Sequence, residues 1–217
     1  MKKQDRIMKI DVINSLASSF NRHDEFPNQQ LAQKIASTND TSAIKELVSL
    51  LQNSKQAVQN DCTKVLYEIG YFNPKLIAPY SNEFIALLKS KNNRIVWGAM
   101  TALSVIASEK PDVIFKNLSA VMQGADVGSV IAKDHAAKIL TSLSQHKKYK
   151  NVTLPILIDF INSAPENQLP TYAENAMSVI EGEYKIVLLQ VLESRIDKMK
   201  TPTKIVRAEK LIKKLKK

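Results

Sequence analysis

The feature that most constrains this chain is a repeat. Shifted by 37 residues, the sequence places apolar residues on apolar residues without a gap. Leu47, Phe84, Val121 and Ile158 form one column, and Val58, Ile95, Ala132 and Leu169 another. Small residues fill a third, Cys62, Ala99, Ala136 and Ala173. Three more follow: Val65, Ala102, Ile139, Ala176; Leu66, Leu103, Leu140, Met177; and Ile69, Ile106, Leu143, Ile180. Within a unit, positions 58, 62, 65, 66 and 69 trace one stripe of a 3.6-residue helix. Ile44, Leu47, Val48 and Leu51 trace a second, and the polar run from Gln52 to Gln56 separates them. Each unit is therefore expected to be a helical hairpin that buries its stripes by stacking on its neighbours.

The units run over 37–73, 74–110, 111–147 and 148–184. A fifth, 185–217, continues the register as Ala208, Leu211, Ile212 and Leu215, two residues early. Residues 1–40 are expected to form an N-terminal helical cap. There Ile7, Ile10, Ile13, Leu16 and Phe20 make an amphipathic helix, Leu31 to Ala36 a short one, and residues 21–27 the loop between them. Residues 41–217 then form one continuous repeat domain. Gly98 suits close helix packing, Gly70 a helix stop, and Thr171 with Glu174 a capping box opening the second helix of the fourth unit.

The turn and helix from Lys89 to Ala107 resemble those of a HEAT repeat, and Asn73-Pro74-Lys75-Leu76-Ile77 and Lys110-Pro111-Asp112-Val113-Ile114 resemble that family's first-helix openings. The similarity covers about residues 41–217. It implies an all-α fold, a right-handed α-α superhelix of about five 37-residue HEAT-like helical hairpins, whose second helices line a concave groove. Asn53 and Ser90 stand where that family usually has Asp, and Gln59 and Val96 where it has Arg, so no charged ladder through the turns is implied.

On the second helices, the positions opposite the core stripe give three columns. They are Asn60, Trp97, Asp134, Thr171, Val206; Lys64, Thr101, Lys138, Asn175, Lys210; and Tyr67, Ser104, Thr141, Ser178, Lys213. The candidate groove residues are accordingly Asn60, Lys64, Trp97, Thr101, Asp134, Lys138 and Asn175. Trp97, the one tryptophan, is either an aromatic anchor for a partner or a ring packed over a neighbouring helix.

The net charge of +10 is concentrated at one end. Residues 195–217 hold ten basic groups against Asp197 and Glu209, leaving +2 for the rest. Lys204, Arg207, Lys210, Lys213, Lys214 and Lys217 form a basic C-terminal patch, suited to phosphates or acidic partners or simply to solvation.

Signals for chemistry are poor. His23, His135 and His146 are scattered without metal-ligand spacing, and His135, in a column with Asp61, Gly98, Tyr172 and Arg207, reads as exposed or interfacial. No glycine-rich phosphate loop is present, and the lone Cys62 excludes a disulfide framework. No catalytic residue, metal or cofactor is expected. The longest uncharged run, Ile95 to Ser108, is shorter than the ~20 residues that span a bilayer, and the N-terminus lacks the apolar stretch of a signal peptide. A cytoplasmic protein without membrane contact is expected.

The leading expectation is a non-enzymatic scaffold that binds a protein or peptide in the groove. The alternative is binding of duplex DNA through groove lysines and the basic C-terminal helix. The remotest form of that alternative is similarity to the alkylpurine DNA glycosylases, which are built from HEAT-like repeats. In that family a groove Trp is followed one turn later by Asp; here Thr101 follows Trp97, and Asp134 stands at the Trp97 position of the next unit. Self-association through the N-terminal helix is a third route, and the oligomeric state is left open.

Overall fold

The computed structural model describes residues 10–22 and 24–217. Every regular element among them is helical. The helices are α1 (Phe26–Thr38), α2 (Thr41–Asn53), α3 (Gln56–Phe72), α4 (Pro74–Ile77), α5 (Ser81–Leu87), α6 (Asn93–Val105) and α7 (Pro111–Lys116). Beyond these lie α8 (Leu118–Val127), α9 (Val130–Ser144), α10 (Lys147–Ser163), α11 (Leu169–Ala176), α12 (Glu183–Ile196) and α13 (Pro202–Leu215). The five expected hairpins are α2 with α3, α4 and α5 with α6, α7 and α8 with α9, α10 with α11, and α12 with α13. The chain packs as two compact units that divide between Val113 and Ile114.

Local chemistry sets the helix ends. Asp40, Asn73 and Asn92 cap α2, α4 and α6 by accepting the N–H groups of Ala43, Lys75 and Arg94 at 3.0, 3.2 and 3.0 Å. Asn39 closes α1 in the left-handed region, φ 51°, which Asn tolerates better than most residues. Pro74 and Pro111 open α4 and α7, where a missing N–H costs nothing. Pro79 interrupts the first helix of the second hairpin, leaving a 3-10 turn at Ala78–Tyr80 between α4 and α5.

In the first unit α3 is central and packs against α1, α2 and α6. In the second, α9 packs against α8, α10 and α11, and α13 lies on α12 and α11. The apolar columns form these cores: Leu47, Phe84 and Val121 are fully buried, as are Cys62, Ala99, Ala136 and Ala173. Each large aliphatic or aromatic side chain so buried contributes about 1.5–3 kcal/mol.

Four local expectations are corrected. The amphipathic N-terminal helix is instead a pair of 3-10 turns, Ile13–Ser15 and Ala17–Phe20, separated by an extended Leu16. Ile10 and Leu16 are buried while Ile13 and Phe20 are exposed, and Ile7 lies outside the described residues. The helix expected from Leu31 begins earlier, at Phe26, because Pro27 fits its first turn. Gly70 does not stop α3, which runs on to Phe72; a Cβ at Gly70 would come within 2.6 Å of Ile77 Cδ1, so glycine serves close packing. The capping box at Thr171 is also absent. Helix α11 has already begun at Leu169, with Pro170 in its first turn, and Glu174 is turned to Arg207 instead.

Candidate functional site

The residues expected along the groove behave differently in the two units. In the first unit they are largely consumed by one another. Lys64 is only 7% exposed, and its Nζ meets Glu25 at 2.6 Å and Glu68 at 2.7 Å, 4.8 Å above the Tyr67 ring. Burial alone would pull its ammonium down, but the Glu25 and Glu68 carboxylates outweigh that and hold it above the usual lysine range. Thr101, 2% exposed, donates its hydroxyl to the Trp97 carbonyl one turn back at 2.8 Å. The expectation that Lys64 and Thr101 face open solvent therefore does not hold. Asn60 is half-buried and accepts from the Asn92 amide at 2.9 Å.

Trp97 is half-buried rather than exposed, and Val96 beside it is buried. The indole packs on Tyr67 of the neighbouring α3, ring centroids 6.1 Å apart, and Tyr67 in turn meets Tyr71 edge-on at 6.0 Å. A polar cleft of about 340 Å³ opens beside Asn60 and Asp61. Its cations are also engaged: Arg22 grips Asp24 through two bonds of 2.7 and 2.9 Å, and Arg94 reaches Glu25 at 3.5 Å.

The second unit leaves its row open. On α9, Lys138 is exposed, whereas half-buried Asp134 accepts the Tyr172 hydroxyl of α11 at 2.7 Å. Asn175 on α11 and Lys210, Lys213 and Lys214 on α13 are exposed, as is Lys217 just beyond it. Arg207 is the exception in the basic patch. It donates to both oxygens of Glu174 and to Thr171 Oγ1, and this guanidinium, more than Lys204 and Lys214 nearby, holds the Glu174 carboxyl below the usual range. Among the described residues, Lys204, Lys210, Lys213, Lys214 and Lys217 have no carboxylate at ion-pair distance. A cleft of about 360 Å³ lies between α11 and α13, bordered by Glu174, Arg207, Lys210 and Lys214.

The hydroxyls on these helices turn inward. Thr63 and Thr141 donate to their own helix carbonyls, at 2.8 and 2.9 Å, as Thr101 does. Lysines and amides are thus the groups left to meet a partner.

Cys62 is fully buried, and burial, with Asp61 and Glu46 nearby, pushes its thiol up to about 12, so it is no nucleophile at neutral pH. Among the described residues no three His, Cys, Asp or Glu side chains gather as a metal site, and no helix is long and apolar enough to cross a membrane. His23 lies outside the described residues, and His146 sits beside Tyr149 with ring centroids 6.1 Å apart.

His135 is 6% exposed, buried rather than exposed, and burial, with Lys138 adding, pushes its imidazole down to about 4. The folded state therefore keeps it neutral while the unfolded chain protonates it near 6.5. Its share of stability is complete above that value and falls away as pH drops towards 4. We expect His135→Gln to lose about 2 kcal/mol less than the wild type between pH 7 and 4.5 in urea unfolding. Equal losses in the two proteins would refute this.

Sequence reasoning missed Asp61 and Asn28. Buried Asp61 accepts the Ser18 N–H and the Asn28 amide, both at 2.8 Å, and Asn28 accepts the Ala17 N–H at 3.0 Å, so the N-terminal 3-10 turns, α1 and α3 are tied together. The available signal was the column of Asp61, Gly98, Tyr172 and Arg207, which flanks the small-residue column.

No protein-family model matches the sequence, and no curated protein matches it. Solved structures do. A designed armadillo repeat protein in complex with the peptide (KR)4 is similar at a TM-score of 0.64 and 17% identity, covering 94% of this chain and 100% of that one. The fold is an armadillo-like helical repeat. A second designed armadillo repeat protein matches this armadillo-like chain at a TM-score of 0.59 and 18% identity, covering 92% and 98%. An engineered protein matches at 0.58 and 20%, covering 95% and 97%.

Proposed function

We propose that this armadillo-like chain is a non-enzymatic scaffold that holds a protein or peptide segment against the second helices of its second unit. Lys138, Asn175 and Lys210 are the contact row. One observation carries the reading: these groups are exposed and, among the described residues, without carboxylate partners, while Lys64 and Thr101, their counterparts in the first unit, are already satisfied. The likeness to a designed armadillo repeat protein in complex with a peptide supports such a use of the fold. Trp97 is assigned to packing on Tyr67 and not to the partner.

The test is selection of peptides from a displayed random library on the purified protein. Selected peptides are expected to lose at least tenfold in affinity, about 1.4 kcal/mol, for Lys138→Glu combined with Asn175→Ala. Selection of no sequence, or binding unchanged by that variant, overturns the reading.

Exposed Lys138 and Lys210 also favour a second reading, binding of duplex DNA. Titration of a labelled duplex at rising salt decides it: affinity that falls steeply with salt and drops in Lys138→Glu with Lys210→Glu supports phosphate contact, and absence of binding at low salt ends it.

A further inference from the structure

We propose, resting on the scaffold reading, that the partner segment is acidic with an apolar residue at its head, and that it lies along the outer stripe of α13. That stripe is Val206, Lys210 and Lys213, at spacings of four and three residues that keep them on one face of the helix, with Lys217 just beyond its end. From Val206 to Lys213 it spans about 10 Å at 1.5 Å per residue, matched by about three residues of extended chain.

Three observations select this occupant. The lysines of the stripe have no carboxylate partners among the described residues, although Arg207 and Lys216, on other faces of the same segment, are paired with Glu174 and Glu193. An acidic segment therefore meets charge that no neighbouring carboxylate of the protein already balances. Val206 stands 47% exposed at the head of the stripe, offering an apolar contact that a phosphate backbone could not use. The anchoring of α13 is independent of the stripe, because Ala208, Leu211 and Leu215 face inward and hold the helix in place.

The experiment is fluorescence anisotropy with the full chain and three labelled probes: a short glutamate-rich peptide headed by one leucine, the same peptide with glutamine for glutamate, and a short DNA duplex. The glutamate peptide is expected to bind, to weaken with added salt, and to lose at least tenfold in affinity with Lys210→Glu combined with Lys213→Glu. Val206→Ser is expected to weaken it about threefold. All three positions are exposed, so the variants should keep the wild-type unfolding midpoint, which is measured alongside. Equal binding of the glutamine peptide, indifference to the lysine reversals, or tighter binding of the duplex overturns the proposal. Peptides without acidic residues that are selected through Lys138 and Asn175 would overturn it while leaving the scaffold reading in place.

Discussion

Asp61→Ala is expected to lower the unfolding free energy by about 3 kcal/mol, read from the urea midpoint. The carboxylate is 7% exposed, and its two oxygens each accept one bond, from the Ser18 N–H and from the Asn28 side chain. Hydrogen bonds to a charged acceptor contribute about 1.5–3 kcal/mol each, and truncation leaves two donors with no acceptor. Relief from burying a carboxylate offsets part of that loss, which keeps the total near the value of a single strong bond pair. Asp61→Asn keeps one acceptor oxygen but sets an N–H against a donor, so about half the loss is expected. Asn28→Ala and Asp61→Ala should be non-additive by more than about 1 kcal/mol, since each orphans the other. A midpoint within error of wild type for Asp61→Ala would show that the N-terminal turns are held by packing alone.

Gly98→Val is expected to cost a further large amount, about 3 kcal/mol, at the contact of α3 with α6. A Cβ at Gly98 would sit 2.5 Å from Thr63 Cγ2. Thr63 is 2% exposed, and its hydroxyl is tied to the Gln59 carbonyl at 2.8 Å, so rotation away from the clash would break that bond. Gly98→Ala sets two effects against each other: alanine gains about 1 kcal/mol of helix propensity, and the clash takes more than that. We expect a lower melting temperature for Gly98→Ala, and a melting temperature above wild type once Thr63→Ser removes Cγ2 while keeping the hydroxyl. A higher melting temperature for Gly98→Ala alone would mean that Thr63 yields freely.

The hairpins were legible in the sequence because their signal is periodic burial. Leu47, Phe84 and Val121 or Cys62, Ala99 and Ala136 recur at one spacing, and a core position admits only apolar or small side chains. The N-terminal region was not legible, since it follows no repeat. Ile10, Ile13 and Leu16 imitate a helical stripe, yet Leu16 is extended and the Asp11 side chain draws in the Asn14 N–H and amide. The candidate site was half legible. Helical geometry placed Lys138, Asn175 and Lys210 on an open face, but exposure also depends on what lies opposite. Lys64 has the same register and is buried because Glu25, 39 positions earlier in the chain, reaches it. Ion pairs between distant segments leave no periodic trace.

Within each unit, Asp61, Gly98, Tyr172 and Arg207 of the column after position 60 contact an earlier element, each by different means. Asp61 meets Asn28 and the Ser18 backbone, Gly98 meets Thr63, Tyr172 meets Asp134, and Arg207 meets Thr171 and Glu174. Four of the hairpins therefore share a 37-residue length without being interchangeable. A tandem copy of residues 74–110 would set its glycine against Met100, the counterpart of Thr63, and would join a gap made for a threonine methyl to a longer thioether chain. A chain whose hairpins keep one spacing but individual seams gains or loses a hairpin by recombination only if a seam is rebuilt.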